Sequence, residues 1–528
     1  MRIIRQIRRL LCAGVVLIVL PVQGLAGPSP INKSLLRKHV AALADDSMQG
    51  RRAGTDGEQK ASRYLALEFE RSGVPPAGND GSYFQPFSLN TAKIYSTSFL
   101  RVGTDTLRYP RDFFIYRVPD VVTVWSRGMV FVAHGVHQLD DGMDTDLRVD
   151  LRGRLAVVLA PGDSETNLTP SHVRTSSNEL ASWARVQGAG GIILLARRGP
   201  RQLAVTHERY VAAELFKPID TTGFLWIKVS DGERFLREHF KSTEFSAPVL
   251  ATPVVSNIQV ESSMDVLPIV ASNVVGILEG TDRRHELIVV TAHYDHLGMN
   301  TRIGPDSIYN GALDNASGVS AMLEIARSLS HSKAKPLRTI VFLATSAEES
   351  GLQGSRHFLE HPSVQGEIVA NINLEFTGFT MDIEECRLVL LGGEYTNMKS
   401  IFQRAASETG IRISDSYLPS FYLRSDCYTF VEAGIPSIMP SPGFSRRQAM
   451  DGLNEFKKFY HQPNDELGRI PLDFGTLQQQ TQAIALGVWE VAQAGEKPAW
   501  TRSVDSRNWL KIRDMWGLAR MWFAKHVF

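Results

Sequence analysis

Three cysteines in 528 residues are too few for a disulfide scaffold, and their wide spacing excludes a thiolate metal site. Any metal in this chain is therefore held by nitrogen and oxygen. Cys12 lies in a leader described below, which leaves Cys386 and Cys427 as a pair that an exported protein could join. An excess of one charge is lacking too. The 57 Lys and Arg stand against 56 Asp and Glu, a formal net charge of +1, so no global basic field points to nucleic acid or acidic membranes. No nucleic-acid partner is expected. Near its start the chain has an apolar run, Leu10–Val22, shorter than the about 20 residues of a membrane span. Arg2, Arg5, Arg8 and Arg9 precede it and Gly24-Leu25-Ala26 follows, which is the layout of a secretory signal peptide. The expectation is an exported protein, periplasmic or secreted, with residues 1–26 removed and no stable membrane span afterwards. An uncleaved anchor is the alternative.

What is present is ordinary for a globular protein, 43% hydrophobic and 21% charged, and long enough for more than one domain. The stretch from Glu286 to Glu349 organises the rest. Leu287–Ala292 and Thr339–Ala344 are short, continuous and rich in β-branched residues, as strands buried on both faces of a parallel sheet are. Between them Val319, Met322, Leu323, Ala326 and Leu329 recur at helical spacing, after Asn315 and Ser317 as capping candidates. This predicts a strand–helix–strand unit. His293 and Asp295 follow the first strand, Asp314 precedes the helix, and Glu348 and Glu349 follow the second strand. A third apolar run, Ile368–Leu374, ends in Glu375. Ligands of open α/β sheets gather at the carboxyl ends of strands.

Along the chain, Ser34–Leu43 and Glu58–Ser72 read as helices around the turn-rich segment Ala44–Gly57. Alternation from about Tyr83 to Leu107 reads as edge strands. Between Tyr109 and Val254 the texture becomes β-like, at Met129–His134, Leu155–Ala160 and Gly191–Leu195, with one convincing helix at Ser177–Gln187. No acid–histidine constellation occurs there, and Gly190-Gly191 is too weak a pattern for a nucleotide site. Further on, strands at Arg387–Leu391 and Pro436–Met439 and helices near Thr396–Thr409 and Leu477–Ala494 are expected. The tail Trp500–Phe528 carries Trp500, Trp509, Trp516 and Trp522 and reads as a docked helix.

Singly, each polar residue has an ordinary explanation. His293 fits a packed histidine, Asp314 a helix cap, Glu348 and Glu349 a solvated helix start, Glu375 an arginine partner, and His461 a polar loop residue. Together they match a chemical need. Hydrolysis with two divalent ions requires a bridging carboxylate, about two further N/O ligands for each ion, and a base beside the attacking water. His293, Asp314, Glu349, Glu375 and His461 supply the ligands. Glu348 adds a carboxylate that points away from its neighbour. Asp295, two residues from His293, is placed to orient that imidazole.

The segments AHYDHLG, GALDNASG, ATSAEESG and YHQPNDE resemble the signature of the co-catalytic zinc exopeptidase family, which includes bacterial leucyl aminopeptidases and glutamate carboxypeptidase II. RGRLAVVLAPG and ARVQGAGGIILL resemble, more weakly, the protease-associated (PA) domain often inserted in such enzymes. The resemblance implies a three-layer α/β/α mixed sheet, the zinc exopeptidase fold, with a β-rich PA-like insertion. It divides the chain into a signal peptide at 1–26, peptidase parts at 31–108 and 255–495, an insertion at 109–254 and a helical tail at 496–528. It implies two Zn2+, with Mn2+ or Co2+ as substitutes, His293, Asp314 and Glu375 holding one ion, and Asp314, Glu349 and His461 the other. Glu348 would then be the general base, Asp295 the partner of His293, and Tyr460 a donor to the oxyanion. Two departures stand out: many relatives have aspartate in place of Glu375, and Cys427 replaces a histidine in the stretch Arg424-Ser425-Asp426-Cys427. With no arginine cluster evident near the ligands, the expected activity is that of an aminopeptidase acting on peptide substrates. A carboxypeptidase, a single-zinc glutaminyl-cyclase-like enzyme and a non-catalytic transferrin-receptor-like protein are the rivals.

Overall fold

The computed structural model describes residues 27–501, except 95–96, 110, 118–127, 133–137, 140–141, 144–150, 160–183, 185–186, 196–224, 230, 241–250, 255–257, 262–263, 300–305, 381–386, 414–421, 423, 444–454 and 457. The leader, most of the helix expected at 177–187, Cys386 and the tail beyond Thr501 lie outside the described residues. Among the described residues, no helix is long and apolar enough to cross a membrane.

The apolar runs form the predicted strands. In chain order the main sheet has β1 (Phe84–Ile94), β2 (Met264–Leu278), β3 (Arg283–His293), β4 (Arg338–Thr345), β5 (Glu367–Asn373), β6 (Arg387–Leu391), β7 (Arg412–Ile413) and β8 (Ser437–Pro442). Their spatial order is β1-β2-β4-β3-β5-β8-β6-β7. β4, β3, β5 and β8 are parallel neighbours, while β1 and β2 run antiparallel at one edge. Pairing of Val290 with Phe342 and of Val290 with Ile372 aligns the ends of three strands, so His293, Thr345 and Asn373 finish close together.

Helices cover both faces because each strand is apolar on both. Ile288, Val290, Ala292, Ile340, Phe342 and Ala344 join one core with α1 (Lys33–Leu43), α2 (Asp56–Arg71), α3 (Ser317–Ser330), α5 (Met398–Glu408) and α7 (Phe474–Gln493). The alternate residues Leu287, Val289, Val341 and Leu343 meet Phe358 of α4 (Gln353–Glu360) and Phe430 of α6 (Cys427–Glu432). This is a three-layer α/β/α arrangement. α3 is buried on nearly every side; removing a side chain such as Leu323 there costs about 2–5 kcal/mol. Its start is secured by Asn315, whose Oδ1 accepts from the Gly318 N–H at 3.1 Å.

A second sheet is built from 251–254, 129–132, 155–159, 191–195, 225–229 and 113–117, in that spatial order. Three of its strands coincide with the β-like runs read from the sequence. Leu155, Val157, Ile193 and Leu195 pack in a core that also takes in the three-stranded sheet of 258–261, 99–102 and 105–108.

Candidate active site

The predicted residues meet where the parallel strands end. His293 closes β3, Glu348 and Glu349 follow β4, and Glu375 follows β5 by two residues. Asp314 comes from the irregular turn before α3, and His461 from the loop after Phe459. The backbone aims them at a conformational cost. Ala347, Phe376 and His461 have φ of 58°, 56° and 57°, a left-handed region that costs a non-glycine residue about 1–3 kcal/mol and tends to recur at functional sites.

Asp314 lies between two imidazoles. Its Oδ1 is 3.3 Å from His293 Nε2 and its Oδ2 is 3.2 Å from His461 Nε2. Glu349 Oε1 is 3.0 Å from His461 Nε2. Glu375 is 4% exposed, accepts from Asn373 Nδ2 at 2.8 Å, and lies close enough to interact with His293 and Asp314. Tyr460 stacks on His461, ring centroids 3.8 Å apart. All five predicted ligands, Glu348 and Tyr460 are thus brought to one place. Asp295 is there too, but its contacts differ from the simplest expectation. Its main-chain carbonyl takes His293 Nδ1 at 3.2 Å, while its carboxylate stands 3.8 Å from that nitrogen. The carboxylate instead accepts from the Glu348 and Glu349 amides at 3.1 and 3.3 Å. Asp295 therefore ties the β3 end to the turn that carries both glutamates.

Three further residues belong to this place. His296 is buried, with Nδ1 3.1 Å from Glu349 Oε1, and its closeness to His293 in AHYDHLG was the available signal. Asp465 accepts from the amides of Leu313 and Asp314 at 2.8 and 3.0 Å, which joins the His461 loop to the Asp314 turn. Arg51 is fully buried and donates to the carbonyls of Tyr294 at 2.8 Å, Asn310 at 2.5 Å, Gly311 at 3.0 Å and also Leu43. No local pattern could announce it. Of the departures, Arg424 donates to the Tyr460 hydroxyl at 3.1 Å. Asp426 is buried and accepts from Thr345 Oγ1 at 2.5 Å. Cys427 is buried, its Sγ 3.7 Å from the Ile438 carbonyl.

So many buried carboxyls oppose one another. Burial drives Glu348 well above its ordinary range, Glu349 and Glu375 adding to the rise and His293 opposing it. Burial likewise raises Glu375 and Asp295, each to about 8. Glu349 goes the other way: burial raises it, but His461 and His296 outweigh this and hold it well below the carboxylate range. Burial lowers His461, yet Glu349 and Asp314 lift it to about 9. His293 rises likewise against its burial, through Glu348, Asp314 and Glu375.

Such a cluster fits a divalent cation. Four ligands at about 2.0–2.1 Å around a tetrahedral ion lie about 3.3–3.4 Å apart, close to the 3.0–3.3 Å between the donors of Asp314, Glu349 and the two histidines. Asp314, Glu349 and His296 present donor atoms within 4.8 Å of one another. Mixed imidazole and carboxylate donors favour zinc.

Residues 273–487 match the family model described as Peptidase family M28. This segment is therefore similar to the peptidases of family M28. Aminopeptidase YwaD of Bacillus subtilis (strain 168) is 31% identical over 233 residues, 43% of this chain and 46% of that protein. A probable zinc metalloprotease of Pyrenophora teres f. teres is 26% identical over 253 residues, 44% of this chain and 51% of the relative. The chain thus spans about half the length of these curated relatives. Two solved structures share its fold: an aminopeptidase from Aneurinibacillus sp. strain AM-1 (TM-score 0.55, 18% identity, 88% of this chain and 95% of that one) and BSAP, a zinc aminopeptidase from Bacillus subtilis (0.52, 20%, 87% and 95%). The matched segment contains every predicted ligand and Glu348.

Proposed function

We propose that this protein is an exported zinc-dependent exopeptidase, an aminopeptidase that releases N-terminal residues from peptides. The observation that carries the reading is Asp314 held between His293 and His461 at 3.3 and 3.2 Å. A carboxylate with one oxygen toward each imidazole is what two ions sharing a ligand require. In this reading His293, Asp314 and Glu375 would hold one zinc, and Asp314, Glu349 and His461 the other. When bound, the paired ions supply Lewis acidity and an activated water near neutral pH. The relatives named as aminopeptidase and zinc metalloprotease support the assignment.

The chain's own groups do the rest. Glu348 lies half-buried beside His293 and its backbone is fixed by Asp295, so it takes a proton from the attacking water and returns one to the leaving amine. Arg424 donates to the Tyr460 oxygen, and in this reading Tyr460 donates its phenolic hydrogen to the oxyanion of the tetrahedral intermediate. Residues 109–254 act as a PA-like insertion that shapes access to the site, and residues 1–26 direct export. One observation favours a second reading. Arg424 beside Tyr460 is a cation of the kind that holds a substrate's α-carboxylate, which would make the enzyme a carboxypeptidase.

The deciding experiment is a screen of the purified chain against aminoacyl p-nitroanilides, free peptides and N-blocked peptides, with and without chelator. Chelator-sensitive cleavage of the first two alone is expected. Cleavage of N-blocked peptides from the carboxyl end would replace the aminopeptidase reading with the carboxypeptidase one. Inertness toward every peptide in zinc would refute both.

A further inference from the structure

We propose that His296 is a positioning residue of this centre, donating its Nδ1–H to Glu349 Oε1 and fixing that carboxylate against His461 and Asp314; the proposal rests on the zinc reading above. His296 was not among the residues singled out by sequence, and neither predicted ligand set uses it. Its geometry is nonetheless that of a built contact. The ring is 1% exposed, its Nδ1 stands 3.1 Å from Glu349 Oε1, and its plane meets the His461 ring edge-on with centroids 5.7 Å apart. The chain leaves room for it at some cost: a Cβ on Gly311 would lie 2.6–2.7 Å from ring atoms of His296, and Gly311 has φ 58°.

The chemistry then fixes the proton. An ionised carboxylate only accepts hydrogen bonds, so Nδ1 carries the hydrogen and Nε2 is the bare nitrogen. Nε2 is buried and has no hydrogen-bond partner among the described residues, so the Glu349 contact is the one seen to orient the ring. Glu349 has one oxygen shared between two imidazoles, His461 at 3.0 Å and His296 at 3.1 Å. A ligand carboxylate held in this way does not swing away from the ion, and partners of this type are worth about 10–100-fold in metal affinity.

The test is zinc affinity of the full chain, measured by competition with a chromophoric chelator, for wild type, His296→Asn and His296→Gln. The asparagine amide reaches the position of Nδ1, whereas the glutamine amide reaches that of Nε2. His296→Asn is expected to bind both zinc equivalents within about threefold of wild type. His296→Gln is expected to lose about 10–100-fold on one equivalent only. Equal affinities for all three proteins, or an asparagine variant as weak as the glutamine one, would overturn the proposal. A wild-type protein that takes up no zinc would instead refute the zinc reading itself, so the two failures are distinguishable.

Discussion

Replacing Glu348 by glutamine removes its capacity to take up a proton and little else. The side chain keeps its length, and the Glu348 backbone amide still donates to Asp295 Oδ1 at 3.1 Å. Two consequences follow from the buried carboxyls around it. A proton acceptor at this point contributes about 10²–10⁴-fold, equivalent to about 3–5 kcal/mol of transition-state stabilisation. Hydrolysis by Glu348→Gln should therefore fall by that factor in kcat, with KM and zinc content close to wild type. Stability should move in the opposite direction. Glu349, Glu375 and Asp426 all disfavour a charge on Glu348, so a neutral amide should leave the metal-free melting temperature equal or higher. Steady-state kinetics on an aminoacyl p-nitroanilide, elemental analysis and a thermal melt make the full set. Turnover within tenfold of wild type would refute Glu348 as the base. A large loss of zinc together with turnover would make it a ligand instead.

Asp314→Asn should lower zinc content at both sites, because one side chain faces His293 and His461 alike; loss of a single equivalent would refute a shared ligand. Tyr460→Phe should lower kcat about 10²-fold with little change in KM, the loss seen when an oxyanion donor is removed, and an unchanged kcat would reduce Tyr460 to packing against His461. Zinc uptake should release protons, since Glu375 and His461 hold theirs up to about pH 8 and 9 in the metal-free protein. Affinity should accordingly strengthen from pH 6 to 9 and then level off, as calorimetry in two buffers can show. The stability of the metal-free form should change with the opposite sign. Glu375 is raised from 4.5 and His461 from 6.5, so what each contributes is present below those values and lost as pH rises through about 8 and 9. The metal-free melting temperature should fall over that window, and a rise would contradict the assigned directions.

The part of the site that can be read from sequence is the part built from local rules. The runs around Val290, Phe342 and Ile372 are apolar on both faces, so they had to be central strands. Their last residues had to share one edge, which is why His293, Glu348, Glu349 and Glu375 could be grouped in advance. Asp314 and Asn315 lie before a helix with a clear apolar pattern, and Asn315 caps it as expected. The supporting residues follow no such rule. Arg51 serves carbonyls 8 to 260 positions away, and an arginine in a turn-rich loop has a far commoner exposed reading. Asp465 and His296 act across 151 and 53 positions, distances at which spacing carries no information. Asp295 shows the same limit: its place beside His293 was legible, but the two amides its carboxylate secures were not.

The most direct measurement of the central claim is the metal content of the purified full chain after dialysis against metal-free buffer, with peptide hydrolysis assayed on the same samples before and after stripping. Two equivalents of zinc per chain are expected, with hydrolysis lost on stripping and restored by added zinc. A chain that retains no zinc, or one that cleaves peptides undisturbed once every divalent ion has been removed, would contradict that claim.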